Sequence, residues 1–102
     1  MTVHHSVILS FDVPLSETEK SSILAAASAL RERIPCIRSF TCGFDLGLSG
    51  RKDQDLAIYA TFETPDTFKI YQTHPDHIAF LNDHIKPRLA ENGRKACQFE
   101  SP

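Results

Sequence analysis

Apolar and polar residues alternate over three stretches of this chain with the period of two that is typical of half-buried β-strands. The three predicted strands are His4 to Phe11, Ile37 to Phe44 and Asp55 to Phe62. On the first strand, one face carries Val3, His5, Val7, Leu9 and Phe11. On the third strand, the matching face carries Leu56, Ile58, Ala60 and Phe62.

A first helix is predicted between the first two strands. Ser16 followed by Glu19 is a capping-box sequence, in which a hydroxyl and a carboxylate satisfy free backbone N–H groups at a helix start. Apolar residues then recur at helical spacing to about Ile34, and Pro35 ends the run.

A second helix is predicted after the third strand. Thr64-Pro65 combines a capping hydroxyl with a proline at the first helical position, which favours a helix start. This helix should stop near His74, because Pro75 lacks the backbone N–H that would continue the ladder.

A third helix is predicted to begin at that proline and to continue to about Leu89. We expect Gly93 to end it and Lys95 to Glu100 to form a short final strand. The polar, glycine-bearing segment Gly47 to Gln54 is the most loop-like part of the chain. The element order β-α-β-β-α-α-β is close to the ferredoxin-like pattern, an α+β fold with a four-stranded antiparallel sheet and helices on one face.

The face of this sheet that the helices leave uncovered is unusually apolar. It carries Ile8, Ala57, Tyr59 and Thr61. Two such faces packed together across a two-fold axis would bury these side chains and form a barrel from two subunits. The sequence therefore predicts a homodimer, a dimeric α+β barrel.

Composition narrows the class of protein. A chain of 102 residues with a net charge of −2 is predicted to be one domain, residues 1–102, without the basic patch that nucleic acid or anionic membranes require. No apolar run is long enough to span a bilayer, and no secretory signal is visible. Cys36, Cys42 and Cys97 form no CxxC pair, so we expect reduced thiols and a cytoplasmic location.

The segment Tyr71-Gln72-Thr73-His74-Pro75-Asp76-His77 is the strongest candidate for chemistry. Histidine titrates near neutral pH, and a phenol can donate a hydrogen bond to a developing oxyanion. His77 suits a general base and Tyr71 a donor, although a buried structural tyrosine is the commoner case. His74 suits a cap at the C-terminal end of the second helix, where a donor can satisfy free carbonyls, better than catalysis.

Two further histidines belong to the first strand. His5 is either a satisfied core residue or a partner of His77, and His4 points to the opposite face, where a structural role is expected. The spacing of His77 and His84 fits no established metal motif, so we expect neither a metal nor a cofactor.

The chain resembles the stress-responsive A/B barrel (Dabb) family over nearly its whole length. The matching features are the opening strand, Ile34-Pro35-Cys36-Ile37, the third strand with Glu63, Tyr71-x-x-His74-Pro75-x-His77, Ile85-Lys86-Pro87 and a closing strand around Phe99. The resemblance implies a homodimeric α+β barrel. Some members of the family are stress-induced proteins without assigned chemistry, and one branch, olivetolic acid cyclase, closes a poly-β-keto chain by aldol condensation.

The resemblance to that cyclase branch implies roles for individual residues. Tyr71 and His77 correspond to its catalytic pair, and His5 corresponds to its first-strand histidine. Its pocket lining corresponds to Ile23, Leu24, Ile58 and Ala60. We expect Val7 and Leu9, on the same strand face as His5, and Ala27 to bind the substrate as well. Ala27 stands where the cyclase has a bulky aromatic residue, which implies a wider or differently shaped pocket.

Three functions remain open on the sequence alone. The first is a small cofactor-independent cyclase or lyase that acts on an apolar or polyketide-like ligand. The second is a non-enzymatic stress-responsive dimeric barrel, and the third is an oxygenase of the same superfamily. A hollow of a few hundred cubic ångströms beneath the first helix, reaching Tyr71 and His77, would favour the first function.

Overall fold

The computed structural model describes residues 1–50 and 54–102. The predicted loop Gly47 to Gln54 therefore lies partly outside the described residues. The helices and strands are β1 (Thr2–Phe11), α1 (Glu17–Arg33), β2 (Ser39–Phe44), β3 (Leu56–Phe62), α2 (Pro65–Thr73), α3 (Pro75–Phe80) and β4 (Leu89–Ser101).

The four strands form one antiparallel sheet in the order β2-β3-β1-β4. Val7 lies at its centre, opposite Ile58 of β3 on one side and Ala96 of β4 on the other. This order and connectivity confirm the ferredoxin-like α+β fold predicted from the sequence. Among the described helices, none is long and apolar enough to cross a membrane.

The core lies between the helices and one face of the sheet. The predicted inward faces of β1 and β3 are the buried ones, because alternate side chains of a strand project to the same side. The largest fully buried side chains are Leu9, Ile23, Leu30, Ile34, Leu56, Phe62 and Ile85.

Helix α1 begins with the predicted capping box. The Ser16 hydroxyl accepts a hydrogen bond from the backbone N–H of Glu19 at 3.1 Å, and the Ser16 N–H donates to the Glu19 carboxylate at 3.0 Å. The other oxygen of that carboxylate accepts a hydrogen bond from Arg88 at 3.0 Å. The cap thus also ties the start of α1 to the segment that precedes β4.

The break between α2 and α3 occurs where the sequence predicts it. Helix α2 starts after Thr64, whose hydroxyl accepts from the N–H of Thr67 at 3.2 Å, and it ends before Pro75. His74 occupies the junction, and its Nδ1 accepts a hydrogen bond from the N–H of Asp76 at 3.1 Å. His74 therefore caps the start of α3, which is a structural role at the opposite helix end from the one expected.

The chain after α3 differs from the prediction of one helix to about Leu89 followed by a strand over Lys95 to Glu100. A π-helical turn (Leu81–Ile85) and a 3₁₀ turn (Lys86–Arg88) follow α3, and β4 already begins at Leu89. The strand is longer than predicted because it pairs with nearly the whole of β1.

Gly93 lies inside β4 instead of ending a helix. A Cβ atom there would lie 2.5 Å from the backbone oxygen of Ser10 and 2.8 Å from that of Ala90, so only glycine allows this approach. The neighbouring pairing shifts register between Leu9 and Phe11, as at a β-bulge.

The outer face of the sheet exposes large apolar side chains. Ile8 is 47% exposed, Tyr59 37% and Phe99 51%. His4 lies among them, stacked on the Phe99 ring at a centroid distance of 4.6 Å. Its Nδ1 is hydrogen-bonded to the Tyr59 hydroxyl, and its Nε2 to the Ser101 hydroxyl at 2.7 Å.

Candidate active site

The structure brings His5, Tyr71 and His77 together on the inner side of the sheet. The Tyr71 and His77 ring centroids are 4.3 Å apart, and those of His5 and Tyr71 are 5.9 Å apart. His5 is 4% exposed and Tyr71 is 2% exposed, whereas His77 is half-buried. The break at Pro75 creates this arrangement, because it turns α3 so that His77 returns to the end of α2.

The proton of His77 is fixed by a backbone carbonyl. The Nδ1 atom of its ring lies 3.0 Å from the carbonyl oxygen of Gln72. A carbonyl can only accept, so Nδ1 carries the proton in this hydrogen bond. The Nε2 atom of a neutral His77 therefore keeps its lone pair, as a general base requires.

The second imidazole is held in the opposite tautomer. The side-chain amide of Gln98 donates to Nδ1 of His5 at 2.9 Å. Because Nδ1 accepts this hydrogen bond, the proton of a neutral His5 is on Nε2. His77 thus offers a lone pair at Nε2, and His5 offers an N–H at the same ring position.

The Tyr71 hydroxyl has no hydrogen-bond partner among the described residues, and the same holds for Nε2 of His5. No fully buried side-chain nitrogen or oxygen in these residues lacks a partner. The two atoms therefore retain some accessible area, although both side chains are almost completely buried. This area opens into the cavity that both residues line.

The cavity has a volume of about 30 Å³. It lies between the sheet and the junction of α2 with α3. Its walls are mostly apolar. The lining residues are His5, Val7, Leu9, Ile58, Phe68, Tyr71, Gln72, His77, Phe80, Leu81 and Arg94.

Burial keeps both imidazoles neutral at physiological pH. It lowers the pKa of His5 to about 4, and the nearby positive charges of Arg94 and a protonated His77 act in the same direction. Burial also lowers the pKa of His77, against the opposing effect of the Gln72 hydrogen bond. Burial raises the pKa of Tyr71, so its hydroxyl remains a donor.

The family of the protein follows from its sequence. The family model of the stress responsive A/B barrel domain (Dabb) matches residues 3–99. The chain belongs to this family. No curated protein matches the chain significantly.

Solved structures with the same fold include proteins of different activities. A dimeric ferredoxin-like protein of unknown function from Thermobifida fusca YX has 33% sequence identity and a TM-score of 0.82, over 97% of this chain and 90% of its own. Hydroxynitrile lyase from Passiflora edulis has 20% identity and a TM-score of 0.78, over 96% and 91%.

The third structure is SnoaB, a cofactor-independent oxygenase from Streptomyces nogalater. It has 15% identity and a TM-score of 0.73, and the match covers 98% of this chain and 92% of SnoaB. Because the identities to the lyase and the oxygenase are so low, these two matches show the fold alone and not a shared activity. Proteins that share this ferredoxin-like fold thus include enzymes as well as proteins without a known activity.

The cavity of this Dabb domain does not lie beneath α1, where the sequence analysis expected a hollow. Of the predicted pocket residues, Val7, Leu9 and Ile58 line it. The other four lie outside its lining because they pack elsewhere in the domain: Ile23, Ala27 and Ala60 are buried in the core and Leu24 is partly buried against it. Contact of these four with a substrate stays a prediction that the position of the cavity does not support.

Three polar residues at the site escaped the sequence analysis. Gln98 and Arg94 lie on the inward side of β4, opposite His5 and Leu9 respectively, and Gln72 acts through its backbone carbonyl. Arg94, Ala96 and Gln98 alternate along the chain, and this pattern could have placed all three on one face of the last strand. The predicted strand begins at Lys95, so the arginine was left outside it.

The described residues offer no evident metal centre. In the ranges 1–50 and 54–102, no three histidine, cysteine or acidic side chains are grouped so that they could hold an ion. Cys36, Cys42 and Cys97 are free thiols, and burial raises the pKa of Cys36 and of Cys42. Neither of these two thiols has the low pKa of a reactive nucleophile.

Proposed function

We propose that this Dabb domain is a cofactor-independent acid–base catalyst of the cyclase or lyase type, with His77 as general base and Tyr71 as hydrogen-bond donor. One observation carries the proposal. A lone pair at Nε2 of His77, the phenol of Tyr71 and the N–H at Nε2 of His5 belong to three side chains that border one small, largely apolar cavity.

The reaction begins with a carbon acid. A carbon flanked by two carbonyl groups is acidic enough for a neutral imidazole to remove its proton. The C–H bond breaks, the proton moves to Nε2 of His77, and the electron pair of the bond passes to a carbonyl oxygen as an enolate. The Gln72 carbonyl stabilises the imidazolium that forms, because it already accepts the hydrogen bond from Nδ1.

The enolate oxygen is stabilised by donors that the fold holds ready. Near neutral pH the Tyr71 hydroxyl and Nε2 of His5 both carry a proton. Neither group donates a hydrogen bond to another described residue. Donors aimed at a developing oxyanion in a dry site are each worth about 10²–10³ in rate. The enolate carbon then bonds to the carbon of a second carbonyl group, whose π electron pair passes to its own oxygen. That alkoxide takes the proton back from Nε2 of His77, which completes an aldol addition and restores the neutral imidazole.

The size of the cavity restricts the substrate. About 30 Å³ is room for one or two water molecules, so it accepts the reacting carbon and its oxygen while the remainder of the ligand stays at the mouth. A compact dicarbonyl compound fits this description better than a fully enclosed polyketide chain.

The same small volume favours the alternative function, a non-enzymatic stress-responsive barrel whose polar cluster only orders the α2–α3 junction. Side chains fill most of the space that a larger ligand would need. The two functions differ in one respect that can be measured: only the catalyst accelerates proton transfer from carbon.

Deuterium exchange at the central carbon of pentane-2,4-dione, followed by NMR in D₂O at pH 7, tests the proposal. We expect the wild-type protein to accelerate this exchange and His77→Ala to lose about 10²–10⁴-fold of the acceleration. The control is His84→Ala, since His84 is half-buried but does not line the cavity. Equal rates for the wild type and His77→Ala would leave the non-enzymatic barrel as the function.

We further propose that two copies of the chain pair through the outer faces of their sheets. The exposed Ile8, Tyr59 and Phe99 support this pairing, because burying large apolar side chains stabilises an interface. The Thermobifida fusca protein, described as dimeric, supports it independently at 33% identity.

A further inference from the structure

Arg94 is an exposed cation in the lining of the cavity. It lies on the inward side of β4 opposite Leu9, and it lines the cavity together with His5 and Val7. Within residues 1–50 and 54–102, no carboxylate forms an ion pair with it and no acceptor takes a hydrogen bond from its side chain. Arg88, by contrast, donates to Glu19 and to the carbonyl of His84.

The charge of Arg94 acts on the whole site. It contributes to the lowered pKa values of His5 and His77 and opposes the raised pKa of Tyr71. A guanidinium that influences three side chains of an otherwise neutral cavity, and that forms no ion pair within the described ranges, creates a local positive potential. Such a potential attracts an anion, and the planar guanidinium matches a carboxylate in particular.

We propose that Arg94 binds the carboxylate of the substrate, so that the site prefers the anion of a small 3-oxo acid to a neutral dicarbonyl compound of similar size. This inference rests on the proposed function. The cavity has room for the reacting carbon and its oxygen, and the carboxylate then lies outside, where Arg94 is exposed to receive it. The anchor would orient the central carbon towards His77.

Acetoacetate and pentane-2,4-dione form a matched pair of ligands for the test. They differ by the replacement of a carboxylate by a methyl ketone and are close in size. Binding is measured from the shifts of the histidine ring resonances in NMR titrations at pH 7 and low salt. We expect wild-type protein to bind acetoacetate at least about tenfold more tightly, because a charge-assisted hydrogen bond replaces contact with a neutral group.

Three variants separate the anchor from other effects. Arg94→Gln should lower acetoacetate affinity to that of the neutral ligand and leave pentane-2,4-dione binding unchanged. Lys69→Gln removes an exposed cation on α2 outside the cavity lining and should keep the preference. His77→Ala should keep the preference while it loses deuterium exchange, which distinguishes the anchor from the catalytic function.

Several results would overturn the anchor. These are equal affinity of the wild type for the two ligands, no detectable binding of acetoacetate, or equal losses in Arg94→Gln and Lys69→Gln. If the wild type prefers acetoacetate but accelerates no exchange, the anion site stands and the catalytic proposal fails. Added sodium chloride should weaken acetoacetate binding to the wild type and leave pentane-2,4-dione binding unchanged.

Discussion

His4 and His5 are adjacent on β1, yet they lie on opposite faces of the sheet and in opposite chemical situations. Both ring nitrogens of His4 are hydrogen-bonded, and its ring is stacked on Phe99. One nitrogen of His5 is bonded to Gln98, and the other has no hydrogen bond in the described part of the chain. His5 lines the cavity, and its burial lowers its pKa to about 4. The two side chains are separated only because successive residues of a strand point to opposite faces of the sheet.

The two tyrosines near these histidines repeat the contrast. The Tyr59 hydroxyl is bonded to His4 on the outer face, whereas the Tyr71 hydroxyl has no partner among the described residues. A polar group with every partner supplied by the fold helps to specify the structure. A buried polar group without a hydrogen-bond partner destabilises a fold, so its presence suggests that a ligand supplies the partner.

The largest expected effect is on dimer stability, from a substitution on the outer face of the sheet. Ile8→Asp places a carboxylate on the apolar sheet face, and two-fold symmetry places it there twice. We expect the dimer to weaken by roughly 10³-fold or more, because an unpaired charge is costly to bury in an interface. Sedimentation analysis over a concentration series measures the change.

Ile78→Asp is the matched control for that substitution. Ile78 is 44% exposed and Ile8 47%, but Ile78 lies on α3, away from the sheet. The control protein should stay dimeric. Equal dissociation of both variants, or a monomeric wild type, would contradict pairing through the sheet.

The second effect concerns the inner face. Tyr71→Phe keeps the ring that packs against Phe62 and His77 and removes only the hydroxyl. We expect the rate of deuterium exchange to fall by about 10²–10³-fold, since one oxyanion donor is lost. The midpoint of thermal unfolding should change little, because no described residue forms a hydrogen bond with that hydroxyl.

Tyr59→Phe should show the reverse behaviour. It removes a hydroxyl that is bonded to His4, so stability should decrease by about 1 kcal/mol while the exchange rate stays at the wild-type value. Exchange assays and thermal melts of the two variants form one experiment. A Tyr71→Phe protein that is destabilised but fully active would assign that tyrosine to the core.

Local sequence patterns predict the parts of this protein that depend on neighbours along the chain. Alternation predicts the buried face of β1, the Ser16–Glu19 pair predicts the start of α1, and Pro75 predicts the break that brings Tyr71 and His77 together. These features need only strand pleat, helix capping and the missing N–H of proline.

Features that depend on distant contacts were not predictable in the same way. The sequence pattern predicts a helix end at Gly93, whereas the structure requires glycine there because the backbone of Ser10 approaches closely. That error shortened β4 and excluded Arg94 from the sheet. The bond between Gln98 and His5 joins residues 93 positions apart, and no local pattern indicates it.

The smallest expected effect uses pH to compare the folded and unfolded environments of His5. Its pKa is about 6.5 in the unfolded chain and about 4 in the folded one, so between these values the unfolded chain binds a proton that the folded chain does not. Stability should therefore fall as pH decreases from about 6.5 to about 4, by on the order of 2 kcal/mol after allowance for screening at the cavity mouth. The lowered pKa of His77 acts in the same direction.

Urea unfolding of the wild type and His5→Asn at a series of pH values isolates this contribution. The asparagine oxygen can accept the hydrogen bond from Gln98, but the side chain does not titrate. The variant should lose less stability than the wild type on acidification, because both proteins share every other titrating group. Equal losses of stability in the two proteins would mean that His5 is as easily protonated in the folded protein as in the unfolded chain. The difference between His5 and His4 would then lie only in the position and contacts of the two side chains.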